Sequence, residues 1–166
     1  SVVSDPLCFG DSNGVIDLTV TSGTAPYTYL WDNGSTTEDL TGLAQGTYSC
    51  EVTDANGCKK TVELDVVTPG QISTKIDVIK PVKGKDNGTI AATATGGTAP
   101  FTYLWNNGST DPMITNLAPG TYTVIVTDAN GCIREFTVVL EEAVGTISLD
   151  ILTSINVYPN PNTGSF

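Results

Sequence analysis

The sequence contains no histidine and only one methionine among its 166 residues. Without histidine, the chain lacks the commonest general base, and it can form neither a Ser–His nor a Cys–His nucleophile pair. The commonest zinc ligand is missing for the same reason, and no Cys-x-x-Cys pair replaces it. We therefore predict that the protein is not an enzyme, and we identify no catalytic, cofactor-binding or metal-binding residue.

Basic residues are also scarce. Seven Lys and Arg stand against eighteen Asp and Glu, which gives a formal net charge of −11. Such a surface repels phosphate backbones, so nucleic acid is not an expected partner. No apolar run approaches the roughly 18 residues that a membrane span requires, so we do not expect a membrane-spanning protein. Only 15% of the residues are charged, a balance typical of secreted all-β modules.

An internal repeat is the dominant feature of the chain. GTAPYTYLWDNGST at 23–36 recurs as GTAPFTYLWNNGST at 97–110, and TYSCEVTDANGC at 47–58 recurs as TYTVIVTDANGC at 121–132. Each pair is displaced by 74 positions, as from residue 31 to 105 and from 58 to 132. We predict two copies of one small domain, at 1–68 (copy one) and 69–143 (copy two), in a rod joined at Thr68-Pro69-Gly70.

Apolar residues alternate with polar ones inside each copy. Ile16, Leu18 and Val20 share one face of a predicted strand, and the turn Asp-Ala-Asn-Gly separates two further alternating segments. LAQGTY and LAPGTY each bring a tyrosine into a strand after a turn, a pattern similar to the tyrosine corner of immunoglobulin-like domains. The sequence predicts an all-β fold of two tandem immunoglobulin-like β-sandwiches.

Aromatic residues form a matching stripe in each copy. We predict that six of them are core residues, because aromatic side chains on one face of a strand are the heaviest apolar groups that either copy has. They are Tyr29, Trp31, Tyr48, Tyr103, Trp105 and Tyr122. The alternative is an exposed platform on which sugar rings stack.

The four cysteines are unevenly divided. Cys8, Cys50 and Cys58 lie in copy one, and only Cys132 lies in copy two, where it matches Cys58. Four cysteines allow three pairings, and the sequence alone does not choose between Cys8–Cys58 and Cys8–Cys50.

Oxygen-rich turns recur at Asp54-Ala-Asn-Gly57 and Asp128-Ala-Asn-Gly131. A calcium site needs six to eight converging oxygen ligands, whereas Asp and Asn-Gly also suit a tight turn. We predict no cofactor, with Ca²⁺ as the alternative.

The run from CFGDSNG to DANGC resembles the SprB repeat of surface proteins from Bacteroidota, which is similar to PKD and other immunoglobulin-like modules. The resemblance covers 8–66 in copy one and begins at Gly84 in copy two. It departs at Val82, where the family usually has its first cysteine. The resemblance implies that the cysteines of CFG and DANGC pair with each other, so that Cys8 bonds to Cys58 and Cys132 is left alone.

The end of the sequence, VYPNPNTGSF, resembles the start of the C-terminal sorting domain read by the type IX secretion system. The motif residues are Tyr158, Pro159, Asn160, Pro161 and Gly164. We interpret 144–166 as a linker and the start of a truncated sorting domain. The resemblance implies the type IX secretion machinery as a partner, and a secreted protein at the outer surface of a Gram-negative bacterium.

Two functions fit these features. The first is a non-catalytic repeat region of a cell-surface adhesin or filament, whose partners are surface glycans or neighbouring repeats. The alternative is a spacer or carbohydrate-binding accessory module at the C-terminal end of a secreted hydrolase. Both would use the same modules in the same order, so the sequence does not separate them.

Overall fold

The computed structural model describes residues 1–143, and this part of the chain is all-β without a helix. The strands of copy one are β1 (Val2–Ser4), β2 (Gly14–Asp17), β3 (Thr28–Trp31), β4 (Leu40–Leu43), β5 (Gly46–Thr53) and β6 (Lys59–Val66). Those of copy two are β7 (Ser73–Ile79), β8 (Gly88–Thr95), β9 (Thr102–Trp105), β10 (Met113–Leu117), β11 (Gly120–Thr127) and β12 (Ile133–Leu140).

Each copy folds as two antiparallel three-stranded sheets that enclose one hydrophobic core. The sheet orders are β1-β2-β4 and β3-β5-β6 in copy one, and β10-β8-β7 and β12-β11-β9 in copy two. Both sheets of a copy contribute buried side chains to the same core. This arrangement confirms the predicted immunoglobulin-like β-sandwich.

The tryptophans lie at the centres of the two cores. Trp31 and Trp105 are each 1% exposed, and their indole N–H groups donate to the carbonyls of Thr37 and Asp111 at 2.8 and 2.9 Å. A buried tryptophan needs such a partner because its N–H group is otherwise removed from water without compensation.

The four tyrosines of the stripe pack against the cores while their hydroxyl groups reach polar partners. The hydroxyl of Tyr48 donates to the carbonyl of Ala44 at 3.0 Å, and that of Tyr122 donates to Ala118 at 2.9 Å. Both are hydrogen bonds of the tyrosine-corner type, from the start of a strand back to the preceding turn. The position of these rings against the cores favours a core role for the stripe over an exposed platform.

Copy one has two opposite ends, each formed by one connection between strands. The β5–β6 turn, residues 54–58, forms the hairpin end, and the β1–β2 loop, residues 5–13, forms the loop end. The backbone N–H of Val67, which comes directly after β6, donates to Asp5 in that loop at 2.9 Å. The two ends are therefore separated by the length of β6, whose eight residues span roughly 25 Å in extended conformation.

Candidate functional site at the junction of the two copies

A disulfide joins the two copies. Cys8, in the loop end of copy one, is bonded to Cys132, in the hairpin end of copy two (residues 128–132), with their Cα atoms 5.6 Å apart. Cys58 is exposed and has a free thiol. The predicted Cys8–Cys58 pairing is therefore wrong, and so is the expectation that Cys132 has no partner.

The strand geometry explains this correction. Cys8 lies in the loop that contacts the residue after β6, whereas Cys58 directly precedes β6. A disulfide requires Cα atoms no more than about 7 Å apart. The two cysteines of one copy thus lie at opposite ends of a sandwich and cannot meet. The loop end of one copy instead meets the hairpin end of the next.

Cys50 is buried in copy one with no exposed surface and a free thiol. It lies opposite Trp31 across β3 and β5, as Val124 lies opposite Trp105 across β9 and β11. Burial raises the pKa of the Cys50 thiol, which keeps it neutral. Cys50 thus acts as a small apolar core residue.

Asn130 adds a polar contact across the same junction. Its side-chain amide donates to the carbonyl of Leu7 at 3.1 Å and to the hydroxyl of Thr98 at 3.0 Å. The sulfur of Cys132 lies 3.4 Å from the same Leu7 carbonyl oxygen. Copy two therefore contacts the copy-one loop in two ways, through the backbone carbonyl of Leu7 and through the side chain of Cys8.

Asp128 holds the receiving hairpin in shape. Its carboxylate accepts backbone hydrogen bonds from Thr98, Asn130 and Cys132, each at 2.9 Å. Burial pushes the pKa of Asp128 upward, but the backbone N–H donors outweigh it, and the pKa lies below its usual value. The carboxylate is therefore occupied by the protein's own donors.

The segment between the copies also docks onto copy two. Ile72 is buried in the core of copy two, and its carbonyl accepts a hydrogen bond from Arg134 at 2.8 Å. The backbone N–H of Gly97 donates to the carbonyl of Gly70 at 2.6 Å. A Cβ atom on Gly97, whose φ is 55°, would lie 2.8 Å from the Asp128 carboxylate and 2.9 Å from Ile72. Glycine is thus the residue that permits this close approach.

Sequence reasoning missed Leu7, Ile72, Asn130 and Arg134 as junction residues. Leu7 contributes only a backbone carbonyl, which leaves no pattern in the sequence. Asn130 belongs to the recurring Asp-Ala-Asn-Gly turn, but that turn is the same in both copies and does not show which one contacts a neighbouring copy. Ile72 was detectable in principle, because an apolar residue two positions after Pro69-Gly70 at a domain boundary is a candidate for packing onto the next domain.

A cavity of about 400 Å³ lies beside the disulfide, and Phe9, Asp11, Gln71, Ile133 and Arg134 are among its lining residues. In residues 1–143, no group of three or more acidic or cysteine side chains could hold a metal ion. The same part of the chain has no helix with the length and apolar character needed to cross a membrane. The sorting-motif residues at 158–164 lie outside the described residues.

The family model of the SprB repeat matches residues 1–36 and 83–110, in both copies. No curated protein matches the chain. Among solved structures, a C-terminal intimin fragment in complex with the intimin-binding domain of Tir is 12% identical, with a TM-score of 0.45. The alignment covers 84% of this chain and 63% of the intimin fragment, so the chain spans less than two thirds of that fragment.

Two further solved structures are similar at low identity. Murine CEACAM1b is 15% identical over 85% of this chain and 98% of its own, with a TM-score of 0.35. A complex of Dpr11 IG1 with DIP-gamma is 14% identical over 72% of this chain and 85% of that chain, with a TM-score of 0.34. The family match supports the interpretation of the two copies as SprB-type repeats.

Proposed function

We propose that this chain is a non-catalytic extracellular repeat segment of a cell-surface adhesin or filament, in which the copies form a stalk with repeat boundaries at 1–68 and 69–143. The observation that carries the proposal is the covalent junction between Cys8 and Cys132. A single short linker would let two domains reorient. A disulfide plus a linker residue buried in the next core restrains that motion, as a stalk under tension requires.

The disulfide also supports the extracellular location. Structural disulfides persist in oxidising compartments and are rare in the bacterial cytoplasm. The excess of eighteen acidic over seven basic residues keeps neighbouring stalks apart by charge repulsion. Export through the type IX secretion system to the outer surface of a Gram-negative bacterium completes the proposal, on the strength of the C-terminal motif.

The stalk role is tested by small-angle scattering of the oxidised chain and of the Cys8→Ser/Cys132→Ser variant. We expect a single elongated conformation for the oxidised chain and a broader distribution of inter-copy distances for the variant. Equal distributions of inter-copy distances in the two proteins would contradict the proposal that the disulfide restrains the junction.

The adhesive part of the proposal is tested separately, by binding of the oxidised chain to glycan arrays, to bacterial surfaces and to itself. Binding that persists at high salt concentration would support an adhesive module. Inert behaviour in all three assays would favour a plain spacer and contradict adhesion by these copies. Export is tested by locating the parent protein in Bacteroidota cells with and without a working type IX system, where loss of surface protein is expected in the second strain.

A further inference from the structure

Cys58 occupies in copy one the position that Cys132 occupies in copy two, but its thiol is free and exposed. The two residues come after the same Asp-Ala-Asn-Gly turn and directly precede the last strand of their copies. One of them receives a cysteine from the loop end of a neighbouring copy, and the other does not.

The hairpin around Cys58 is built as the one around Cys132 is. Asp54 accepts backbone hydrogen bonds from Thr24 at 3.1 Å and from Asn56 and Cys58 at 2.9 Å. The side-chain amide of Asn56 donates to the Thr24 hydroxyl at 2.9 Å. Asp128, Asn130 and Thr98 make the matching bonds in copy two. The receiving site of copy one is thus already formed.

The two hairpins differ in what is bound to them. In copy two, the Asn130 amide also binds the Leu7 carbonyl, and Cys132 is bonded to Cys8. In copy two, residues 70–72 of the linker form part of the wall of the cavity of about 400 Å³ beside the disulfide. In copy one, the matching cavity of about 410 Å³ is lined by Gly23, Tyr27, Asp54, Cys58, Lys60 and other residues, with no inter-copy linker among them. The copy-two residues that match three of these, Gly97, Asp128 and Arg134, surround the linker that ends at Ile72.

We propose that Cys58 is the attachment point for a further copy of this repeat placed ahead of copy one, whose cysteine at the Cys8 position forms a disulfide with it. The inference rests on the proposed role of the chain as a repeat array, and it is independent of whether that array is adhesive. The linker of the added copy lies against this cavity, as residues 70–72 line the matching cavity in copy two.

The spacing of the repeat fits this arrangement. Cys8 and Cys132 are 124 positions apart, the sum of the 74-position repeat and the 50 positions between residues 8 and 58. A copy of residues 1–74 placed directly before Ser1 puts its own first cysteine the same 124 positions ahead of Cys58.

Val82 shows where such a series of disulfides ends. It takes the place of Cys8 in the turn of copy two: the N–H of Asp11 donates to the Cys8 carbonyl, and the N–H of Lys85 donates to the Val82 carbonyl. The Val82 side chain is 54% exposed, so it is not a core residue of copy two. Copy two can thus receive a disulfide through Cys132 but cannot offer one to a following domain.

The bond forms by thiol–disulfide exchange. Two thiols lose two protons and two electrons as the sulfur–sulfur bond forms, and an oxidant of the low-molecular-weight disulfide class, such as oxidised glutathione, is reduced to two thiols. Cys58 is exposed, so the mixed disulfide that precedes the bond is sterically accessible.

The test is a three-copy chain, with residues 1–74 added before Ser1 of the full sequence and oxidised in a glutathione redox buffer. The added copy carries Phe9→Tyr and Lys59→Arg, two conservative changes at exposed positions, so that its cysteine peptides differ in mass from those of the original copy. Peptide mapping without reduction is expected to recover two links: the added Cys8 with the central Cys58, and the original Cys8 with Cys132. The Cys58 of the added copy should be recovered as a thiol or as a glutathione adduct. Recovery of the added Cys8 as a free thiol, or bonded to the Cys58 of its own copy, would overturn the proposal.

Two variants of the central copy sharpen the result. Cys58→Ser should leave the added Cys8 without a protein partner while the original Cys8–Cys132 link persists. Cys50→Val is the matched control, because valine stands at this position in copy two, and it should leave both links intact. If the added Cys8 still forms a disulfide with another cysteine of the Cys58→Ser variant, then Cys58 is not its partner and the assignment is refuted. Failure of the link would leave the adhesion assays of the two-copy chain unaffected, so the two proposals fail separately.

Discussion

The side-chain amide of Asn130 donates a hydrogen bond to the carbonyl of Leu7, which lies 123 positions earlier in the chain and in the other copy. Its counterpart Asn56 bonds within its own copy, to Thr24, and finds no second acceptor of this kind within residues 1–143. Comparing substitutions of Asn130 and Asn56 therefore separates the contribution of the junction to the free energy of unfolding from that of the hairpin turn.

Asn130→Ala should lower the free energy of unfolding by about 1 kcal/mol more than Asn56→Ala, the net contribution of one hydrogen bond. Denaturant unfolding of both variants in the oxidised chain measures the difference. Equal losses would mean that the bond to Leu7 adds nothing beyond the disulfide.

Removing the disulfide should destabilise the chain. The Cys8→Ser/Cys132→Ser variant is expected to lose about 2–4 kcal/mol, because the cross-link restricts the unfolded chain. Cys58→Ser, which alters an exposed free thiol, is the control and should leave the melting temperature unchanged. A melting temperature that drops equally in both variants would argue against the Cys8–Cys132 bond.

Cys50 offers a test of the core. Cys50→Val should be nearly neutral, since Val124 fills the matching position beside Trp105 without exposure. Cys50→Ser should cost about 1–3 kcal/mol, because a buried hydroxyl without a good partner loses its hydration. Thermal unfolding measures which of the two variants is the more stable. A serine variant as stable as the valine variant would contradict an apolar role for this position.

Ionisation of the Tyr29 hydroxyl makes the free energy of unfolding depend on pH in the alkaline range. Burial, then the hydrogen bond to Glu38, raises the pKa of Tyr29 from 10.0 to about 12. The folded protein thus holds the proton more tightly than the unfolded chain, so the stabilisation is complete below pH 10 and is lost as the pH rises to about 12. Unfolding free energies across this range should fall less steeply in Tyr29→Phe than in the parent chain. Identical slopes would show that Tyr29 ionises as freely as in the unfolded state.

Asp128 should act in the opposite direction, at acid pH. Its pKa is lowered from the usual 3.8 in the folded protein, so its contribution is present above the unfolded value and is lost as the pH falls through the folded one. Asp128→Asn should weaken this acid dependence, and amide exchange of Thr98, Asn130 and Cys132 reports the opening of the hairpin directly. Unchanged exchange in the variant would indicate that the carboxylate does not hold these amides.

The strands and the cores could be predicted from the sequence because they depend on local patterns. A period of two places alternate residues on one face of a strand, and the repeat sets the same pattern twice. The tryptophans lie in the cores because large apolar side chains gain most from burial. The burial of Cys50 was likewise predictable, because Val124 stands at its matched position.

The partner of Cys8 was decided by the tertiary structure alone. Sequence alignment shows that Cys58 and Cys132 are equivalent, but it does not show at which end of the sandwich a loop lies. The eight residues of β6 separate Cys8 from Cys58 by far more than a disulfide can span, while the head-to-tail contact of the copies brings Cys132 within reach. Secondary structure depends on neighbours along the chain, and disulfide pairing depends on neighbours in space.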